Sequence, residues 1–235
     1  MTTHPRISDC LHCAMRDRSI FAGLSLDDLR DLGMEVHDIS VPATDMLYLE
    51  GDRARYAYTL REGAVKLVKT LANGRAQIVR LLHHGDLFGF EGLRETAYQH
   101  SAIALTRTDL CRLDLVALEA LSRRLPSVHD AINQRWFNAL QQAETRIVEL
   151  GAKNADERLA TFLSQWCSAY PAGDAVPFPL TRQELGEFLG LSTEHVSRLM
   201  AEFKRRGLLT ERKNLLHIPD TRQLILHACA SGACA

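Results

Sequence analysis

Three polar residues have the types and the spacing that suit recognition of DNA bases. Glu194, Ser197 and Arg198 lie three and four positions apart, so they share one face of a helix. Arginine binds the O6/N7 edge of guanine, glutamate accepts from the amino group of cytosine, and serine serves a base or a phosphate. Lys204 and Arg205 follow and suit the phosphate backbone. The pattern predicts a recognition helix in the major groove; the alternative is a helix with a solvated charged face.

A second group with reactive chemistry is the pair Cys10 and Cys13. A C-x-x-C pair has three interpretations: ligands of a metal or iron–sulfur cluster, a redox dithiol, or coincidence. A thioredoxin-like dithiol follows a strand and opens a helix, and no strand pattern precedes Cys10. The chain has six cysteines and no export signal, so we expect no disulfide framework. We assign no role to Cys167, Cys229 and Cys234.

The elements that must position the recognition residues are two short helices joined by a turn. Thr181 and Glu184 fit a capping box at the start of the first helix. Gly190 ends that helix because glycine tolerates a positive φ, and Ser192 caps the second helix, which runs to Arg206. Apolar residues at helical spacing give each helix an inward side: Leu185, Phe188 and Leu189, then Val196, Leu199, Met200 and Phe203.

The residues after this helix pair predict a two-stranded wing that turns at Lys213-Asn214. Residues 204–213 hold five basic residues and one acid, Glu211, a charge balance typical of a surface that faces DNA. The predicted DNA-contacting residues are Glu194, Ser197, Arg198, Arg182, Thr193, His195, Lys204 and Arg205.

The N-terminal half has the pattern of short strands separated by turns. Strands are predicted near residues 36–41, 46–49, 58–60, 65–68 and 78–82, with a two-residue hairpin turn at Asn73-Gly74. A short helix is predicted at 114–124. Glycines recur at the spacing expected for the corners of a β-roll, at Gly51, Gly63, Gly74 and Gly85.

A long helix is predicted to connect this roll to the helix pair. Its apolar residues step by three and four positions and form a continuous seam, which favours pairing with a second copy of the chain. Packing within one chain is the alternative. The predicted dimer seam is Ile132, Trp136, Leu140, Ala143, Ile147 and Leu150.

Composition sets the broad class. The chain of 235 residues is 46% hydrophobic and 24% charged, with a formal net charge of −1, as expected for one or two globular domains. No apolar run reaches membrane-spanning length and the first residues lack a signal core, so we expect a cytoplasmic protein without a membrane partner. Enzyme motifs such as a glycine-rich phosphate loop or metalloenzyme spacing are absent from the sequence, which disfavours a thiol-dependent redox enzyme.

The segment ELGEFLGLSTEHVSRLMAEFKRRGLL resembles the winged helix of the bacterial CRP/FNR superfamily of transcription regulators. Glu194-x-x-Ser197-Arg198 resembles the FNR branch, in which Glu, Ser and Arg read a TTGAT half-site, whereas the cyclic-AMP receptor branch has Arg in place of Glu194. His195 stands where Thr is more usual. The resemblance implies a homodimer that pairs along the long helix, binds double-stranded DNA and acts on RNA polymerase.

The resemblance also bears on the cysteines. FNR-type oxygen sensors hold a [4Fe–4S] cluster with four thiolates, and Cys10, Cys13 and Cys111 match three of these positions. Ser19 or Phe21 stands where the fourth is expected, which excludes a four-cysteine cluster there. Three interpretations stay open: a cluster or zinc ion completed by an oxygen or nitrogen ligand, a thiol switch, or a pair without function. The candidates for the extra ligand are Asp9, His12 and Asp17.

Residues 85–105 resemble the segment that cradles the phosphate of a cyclic nucleotide in the receptor branch. Members that bind cyclic AMP have Glu after the second glycine and Arg before the serine; this chain has Phe90 and His100 there. A neutral histidine replaces a charged bidentate guanidinium poorly, so we expect no cyclic-nucleotide binding. Glu91 and His100 either serve another effector or pack structurally.

These observations predict an α+β chain with a cyclic-nucleotide-binding-like β-roll, a long dimerisation helix and a C-terminal winged helix-turn-helix. The function predicted is a homodimeric DNA-binding transcription regulator that responds to oxygen or redox state, the alternative being an effector-independent regulator of the same fold. The predicted domains are the arm 1–24, the roll 25–124, the dimerisation helix 125–154, the DNA-binding domain 155–225 and the tail 226–235.

Overall fold

The computed structural model of this protein describes residues 6–168, 170 and 175–229. The chain divides into two compact units, Met1–Leu140 and Gln141–Ala235, and the division falls inside a long helix. The predicted domain bounds therefore stay predictions.

The first unit is the predicted β-roll with helices at its end. Its two antiparallel sheets have the strand orders β1-β2-β9-β4-β7 and β3-β8-β5-β6. The strands are β1 (Arg6–Ile7), β2 (Val36–Val41), β3 (Met46–Tyr48), β4 (Tyr56–Glu62), β5 (Val65–Thr70), β6 (Ala76–Leu82), β7 (Leu87–Phe88), β8 (Ser101–Ala104) and β9 (Thr108–Asp114). The helices are α1 (Leu26–Arg30), α2 (Leu115–Arg124) and the first part of α3 (Pro126–Ala152).

Alternating side chains of the two sheets fill the roll, because successive residues of a strand point to opposite faces. This core includes Tyr48, Leu60, Val65, Leu67, Leu82, Phe88, Tyr98 and Leu110. Gly63 makes the corner between β4 and β5 with a φ of 93°, and a Cβ there would lie 2.5 Å from the carbonyl oxygen of Arg107. Only glycine fits this corner.

A second core joins the N-terminal arm to the helices of the first unit. Ser25 and Asp28 form a capping box that starts α1, and Asp114 caps α2 by accepting from the N–H of Ala117 at 3.0 Å. The buried residues of this core include Ile20, Phe21, Leu24, Leu29, Leu113, Leu118, Val128 and Ile132. The arm is therefore packed as part of the unit.

The second unit contains the predicted winged helix-turn-helix. It comprises the rest of α3, then α4 (Ala155–Ser168), β10 (Val176–Pro177), α5 (Arg182–Leu189), α6 (Thr193–Arg205), β11 (Thr210–Arg212), β12 (Leu215–His217) and α7 (Thr221–Cys229). Lys213 and Asn214 have φ angles of 45° and 62°, so the predicted wing turn is a tight two-residue turn with both residues left-handed. β10 adds a third strand to the wing, in the order β10-β12-β11.

Several elements differ from the sequence predictions. The hairpin of β5 and β6 closes through the five-residue loop 71–75, because the Asn73 side chain accepts from the N–H of Arg75 and Gly74 donates back to Leu71. β1 precedes Cys10, although no strand was predicted there. The elements β7, β8, β9, α1 and α7 were also not predicted, and α7 runs through the start of the predicted tail.

Within the described residues, no helix combines the length and the apolar character needed to cross a bilayer.

Candidate functional site

The helix α6 has a buried face and a face exposed to solvent. Val196, Leu199, Met200 and Phe203 are all buried in the second unit, as predicted. Glu194, Ser197 and Arg198 are exposed together on another side, with Thr193 exposed at the first position of the helix. The structure therefore brings the recognition residues onto one accessible surface near the N-terminal end of α6.

Local hydrogen bonds fix the start of α5 and the turn between α5 and α6. The Thr181 hydroxyl accepts from the N–H of Glu184 at 3.1 Å, and Glu184 Oε2 accepts from the N–H of Thr181 at 2.8 Å, which forms the predicted capping box. Ser192 caps α6 by accepting from the N–H of His195 at 3.2 Å. A Cβ at Gly186 would lie 2.6 Å from the carbonyl oxygen of Leu191, so the closeness of this turn requires glycine.

The side chains on the exposed face of α6 can form hydrogen bonds with an external partner. Bonds from its own backbone N–H and from the Ser192 hydroxyl, aided by the charge of Arg198, hold the pKa of Glu194 below its usual value, which keeps it an acceptor. The Ser197 hydroxyl donates to the carbonyl of Thr193 at 2.8 Å and keeps its lone pairs for an external donor. Within the described residues, the Arg198 side chain forms no hydrogen bond or ion pair, although its charge acts on Glu194.

The predicted phosphate contacts are of two kinds. Arg205 is exposed and has no ion pair in the described part of the chain, whereas Arg182 and Lys204 both bind Glu211 of β11. Lys204 Nζ lies 2.7 Å from Glu211 Oε2, and Arg182 Nη2 donates to the same oxygen. Sequence reasoning assigned Glu211 no role, although it is the one acid among the five basic residues of 204–213.

The predicted seam on α3 is only partly accessible. Ile132 is 5% exposed in the core of the first unit, and Leu150 is partly buried, with Cδ2 placed 3.2 Å from a Cβ built on Gly190. These two residues therefore pack within their own chain. The accessible apolar face consists of Trp136, Phe137, Leu140, Ala143, Ile147 and Val148.

Sequence reasoning missed Phe137 and Val148 on this face. They stand one position after Trp136 and Ile147, and a helical apolar face about 100° wide includes such neighbours. A strict seam with one residue at each step was too narrow a description.

The structure gathers Cys10, Cys13 and Cys111 at the junction of the arm and the roll. Cys111 of β9 pairs in register with Asp38 of β2, and Asp38 forms an ion pair with Arg61. Cys10 and Cys111 both pack against the arm core, and a negative charge on Cys13 would raise the pKa of each of them. Burial, chiefly, raises the pKa of Cys10 to about 11 and that of Cys111 to about 12, so both are protonated thiols near neutral pH.

The residues around these thiols do not fit a cluster held by four thiolates. Phe21 is buried in the arm core, and the Ser19 hydroxyl donates to the carbonyl of Arg16 and accepts from the N–H of Phe21. Asp9 and His12 form an exposed pair with each other at 2.8 Å. Asp17 lies 3.6 Å from Arg16. Within the described residues, no group of three or more His, Cys, Asp or Glu side chains is arranged to hold a metal ion.

The interior of the roll is filled by its own side chains near the segment that resembles a nucleotide cradle. The rings of Tyr48 and Tyr98 stack with centroids 3.7 Å apart, and Phe90 is buried against Trp136 at 4.5 Å. His100 Nδ1 lies 3.4 Å from Glu91 Oε1. Burial first, then the charges of Arg80 and Lys69, lower the pKa of His100 to about 4, so it does not replace the cation that binds a nucleotide phosphate.

Comparison with known proteins identifies both units. Residues 38–124 match the cyclic nucleotide-binding domain and residues 157–226 match the Crp-like helix-turn-helix domain. The nitrogen fixation regulation protein FixK of Bradyrhizobium diazoefficiens is 31% identical over 207 residues, which cover 85% of each protein. The anaerobic regulatory protein of Aggregatibacter actinomycetemcomitans is 28% identical over 221 residues, covering 92% of this chain and 86% of that protein.

A solved structure agrees with these relatives. The structure of FixK2 from Bradyrhizobium japonicum superimposes with a TM-score of 0.75 and 27% identity, covering 80% of this chain and 95% of that one. The relatives are transcription regulators, so the alternative of a thiol-dependent enzyme is set aside. The order of the roll, the long helix and the winged helix-turn-helix is also the predicted one. The chain belongs to the CRP/FNR superfamily of DNA-binding transcription regulators, in its FNR-like branch.

Proposed function

We propose that this protein is a homodimeric regulator that reads a TTGAT-like palindrome through Glu194, Ser197 and Arg198. The observation that carries the proposal is the shared exposure of these three side chains on α6, opposite a stripe that is wholly buried. Arg198 suits guanine and the ionised Glu194 suits the amino group of cytosine, which are the two bases of a G·C pair. The sequence TTGAT itself comes from the resemblance to the FNR branch.

The accessible apolar face of α3 supports pairing of two chains. Phe137 is 53% exposed, Leu140 57%, Ile147 70% and Val148 61%, and these residues recur along one side of a single helix. Pairing along this face removes apolar surface from water, which is the main favourable term in association. A dimer then presents two recognition helices to half-sites about one helical turn, roughly 34 Å, apart.

Regulation in this proposal does not depend on a four-thiolate cluster. The places of the missing ligand are used by Ser19 for loop hydrogen bonds and by Phe21 for the core. The name of the anaerobic relative suggests a response to oxygen for that protein; in this chain Cys10, Cys13 and Cys111 supply oxidisable thiols, and we expect DNA affinity to be the same with and without oxygen. RNA polymerase in the bacterial cytoplasm is the further partner that the family implies.

Binding titrations on three duplexes test the proposal. One duplex has two TTGAT half-sites in a palindrome, one has a single scrambled half-site, and one is scrambled throughout. A homodimer that reads both half-sites loses affinity in two steps, each by roughly 1–3 kcal/mol per disrupted base pair. Equal affinity for all three duplexes would contradict the proposed readout, and a monomer in sedimentation would contradict the proposed assembly.

A further inference from the structure

Glu211 holds two of the cations that face the expected path of the DNA backbone. Its Oε2 accepts from Lys204 Nζ at 2.7 Å and also from Arg182 Nη2. Arg182 begins α5, Lys204 lies in the last turn of α6, and Glu211 lies on β11 of the wing. One carboxylate therefore joins all three parts of the winged helix-turn-helix.

The three side chains differ in their exposure to solvent. The Glu211 side chain is 18% exposed, that of Arg182 26% and that of Lys204 41%. Burial alone would raise the pKa of Glu211, but the hydrogen bonds and charges of Arg182 and Lys204 outweigh it and leave this pKa below its usual value. The carboxylate is thus a charged partner held inside the cationic surface, with Lys204 its most accessible neighbour.

This arrangement changes the charge that DNA meets. The group of Arg182, Lys204 and Glu211 carries one net positive charge instead of two. Sequence-independent affinity for DNA grows with the number of phosphates that cations neutralise, because each neutralised phosphate releases condensed counterions. A phosphate that approaches Lys204 or Arg182 must compete with a carboxylate already bound there.

We propose that Glu211 is a positioning residue that acts as an internal counter-anion and limits the sequence-independent affinity of this protein for DNA. It rests on the proposed placement of Arg182 and Lys204 at the phosphate backbone. Arg198, which carries the base contact, lies outside this group and makes no ion pair with it in the described residues. Glu211 therefore lowers affinity for matched and random sequences by the same factor.

The test is Glu211→Gln in the full chain, titrated on a TTGAT palindrome and on a random duplex over a range of salt concentrations. We expect affinity for both duplexes to rise about eightfold at 0.1 M salt, with the slope of log K against log salt steeper by about 0.9, the value of one added phosphate contact. A carboxylate that served only the packing of the wing would not steepen this slope. Unchanged or reduced affinity with an unchanged slope would overturn the proposal.

Two further variants identify the cause. Glu119→Gln removes an exposed carboxylate of the first unit that pairs with Arg123 at 2.6 Å, so it changes the net charge equally and is expected to leave the slope unchanged. In a chain that carries Arg182→Ala and Lys204→Ala, Glu211→Gln is expected to raise affinity less than in the wild type and to leave the slope unchanged, because no cation is released and only direct repulsion of the phosphates is removed. An equal rise in affinity with the same change of slope there would show that Glu211 acts through neither cation and would overturn the proposal.

The role of Glu211 and the TTGAT readout fail through different outcomes of these titrations. A wild type that binds the palindrome and the random duplex equally contradicts the TTGAT readout, yet the response of the random duplex to Glu211→Gln still decides the role of Glu211. Thermal unfolding followed by circular dichroism accompanies each titration, and a Glu211→Gln protein that is folded but binds more weakly counts against the proposal.

Discussion

The recognition helix and the cysteine group show two ways in which one chain places functional side chains. Glu194, Ser197 and Arg198 lie within five consecutive residues and are exposed, and their support comes from neighbouring caps. Cys10 and Cys111 are brought together from distant parts of the sequence and are partly buried, with raised pKa values. The first arrangement presents charge to a polymer at the surface, whereas the second holds protonated thiols against a core.

This contrast predicts that DNA binding responds strongly to changes on exposed helix faces and weakly to changes at the thiols.

Ala143→Asp places a charge in the accessible apolar face of α3. An ionised carboxylate buried between two chains costs several kcal/mol unless it is neutralised. We expect the dimer dissociation constant to rise at least about a hundredfold, since each 1.4 kcal/mol is a factor of ten. Sedimentation at micromolar concentration measures this, with a dimeric wild type both in air and without oxygen.

Thr145→Asp is the matched control, because Thr145 is exposed and lies on the opposite side of α3 from Ala143. This variant is expected to remain a dimer. Dissociation of both variants to the same extent would place the interface elsewhere.

His100 tests the interior of the roll through pH. Its pKa is about 4 in the folded protein and near 6.5 when unfolded, so the unfolded chain binds more protons between these values. The His100 contribution to the free energy of unfolding therefore falls by about 3 kcal/mol as the pH drops from about 6.5 to 4. The charged or titratable groups that face His100 are Glu91, Arg80, Lys69, Glu50 and Tyr48.

Urea unfolding of the wild type and of His100→Gln over this pH range measures the effect. The substitution is expected to flatten the profile, because it removes the titrating ring but keeps a polar side chain. His84→Gln, which removes an exposed imidazole from the same unit, is expected to keep the fall. Parallel profiles for the wild type and His100→Gln would show that His100 does not titrate in this way.

Arg198→Ala is expected to cost about 1–3 kcal/mol in binding to the TTGAT palindrome and far less on random DNA, as for the loss of a bidentate base contact. Arg205→Ala is the comparison, because Arg205 is exposed without an ion pair in the described residues and should weaken both duplexes alike. Titrations at one fixed salt concentration suffice. An equal loss on specific and random DNA would remove Arg198 from the base-reading set.

The sequence predicts well the features that depend on neighbouring residues and poorly those that depend on distant ones. The capping box of Thr181, the cap at Ser192, the turn at Gly190 and the wing turn at Lys213-Asn214 are all confirmed, since each depends on a few neighbouring residues. The buried stripe of α6 is confirmed for the same reason.

Features that depend on distant pairing were missed. β9 was not predicted because TDLCRLD lacks a run of β-branched residues and is held between β2 and β4. Ile132 was predicted to lie on the dimer seam of α3, but it is buried in the core that joins the arm to the helices of the first unit. Glu211 has no local signal beyond its charge, because its partners Arg182 and Lys204 belong to other elements.

Changes at the thiols are expected to have the smallest effect on DNA binding, and an effect there would contradict the contrast with the recognition helix. Cys10, Cys13 and Cys111 supply three thiols, whereas Ser19 and Phe21 are committed to the loop and the core. Each candidate oxygen or nitrogen ligand in the arm already has a partner, since Asp9 pairs with His12 and Asp17 lies 3.6 Å from Arg16. We therefore expect protein purified without oxygen to be colourless, with iron and sulfide far below stoichiometric amounts. Its DNA affinity should be the same in air, and Cys111→Ala should leave that affinity unchanged.

An anaerobic absorbance spectrum with iron and sulfide analysis tests for a cluster, and titrations in air and without oxygen test the affinity. A brown protein that air bleaches would show that the partly buried thiols hold a cluster after all. The sensor would then be built by ligand rearrangement rather than by the resting geometry of the arm.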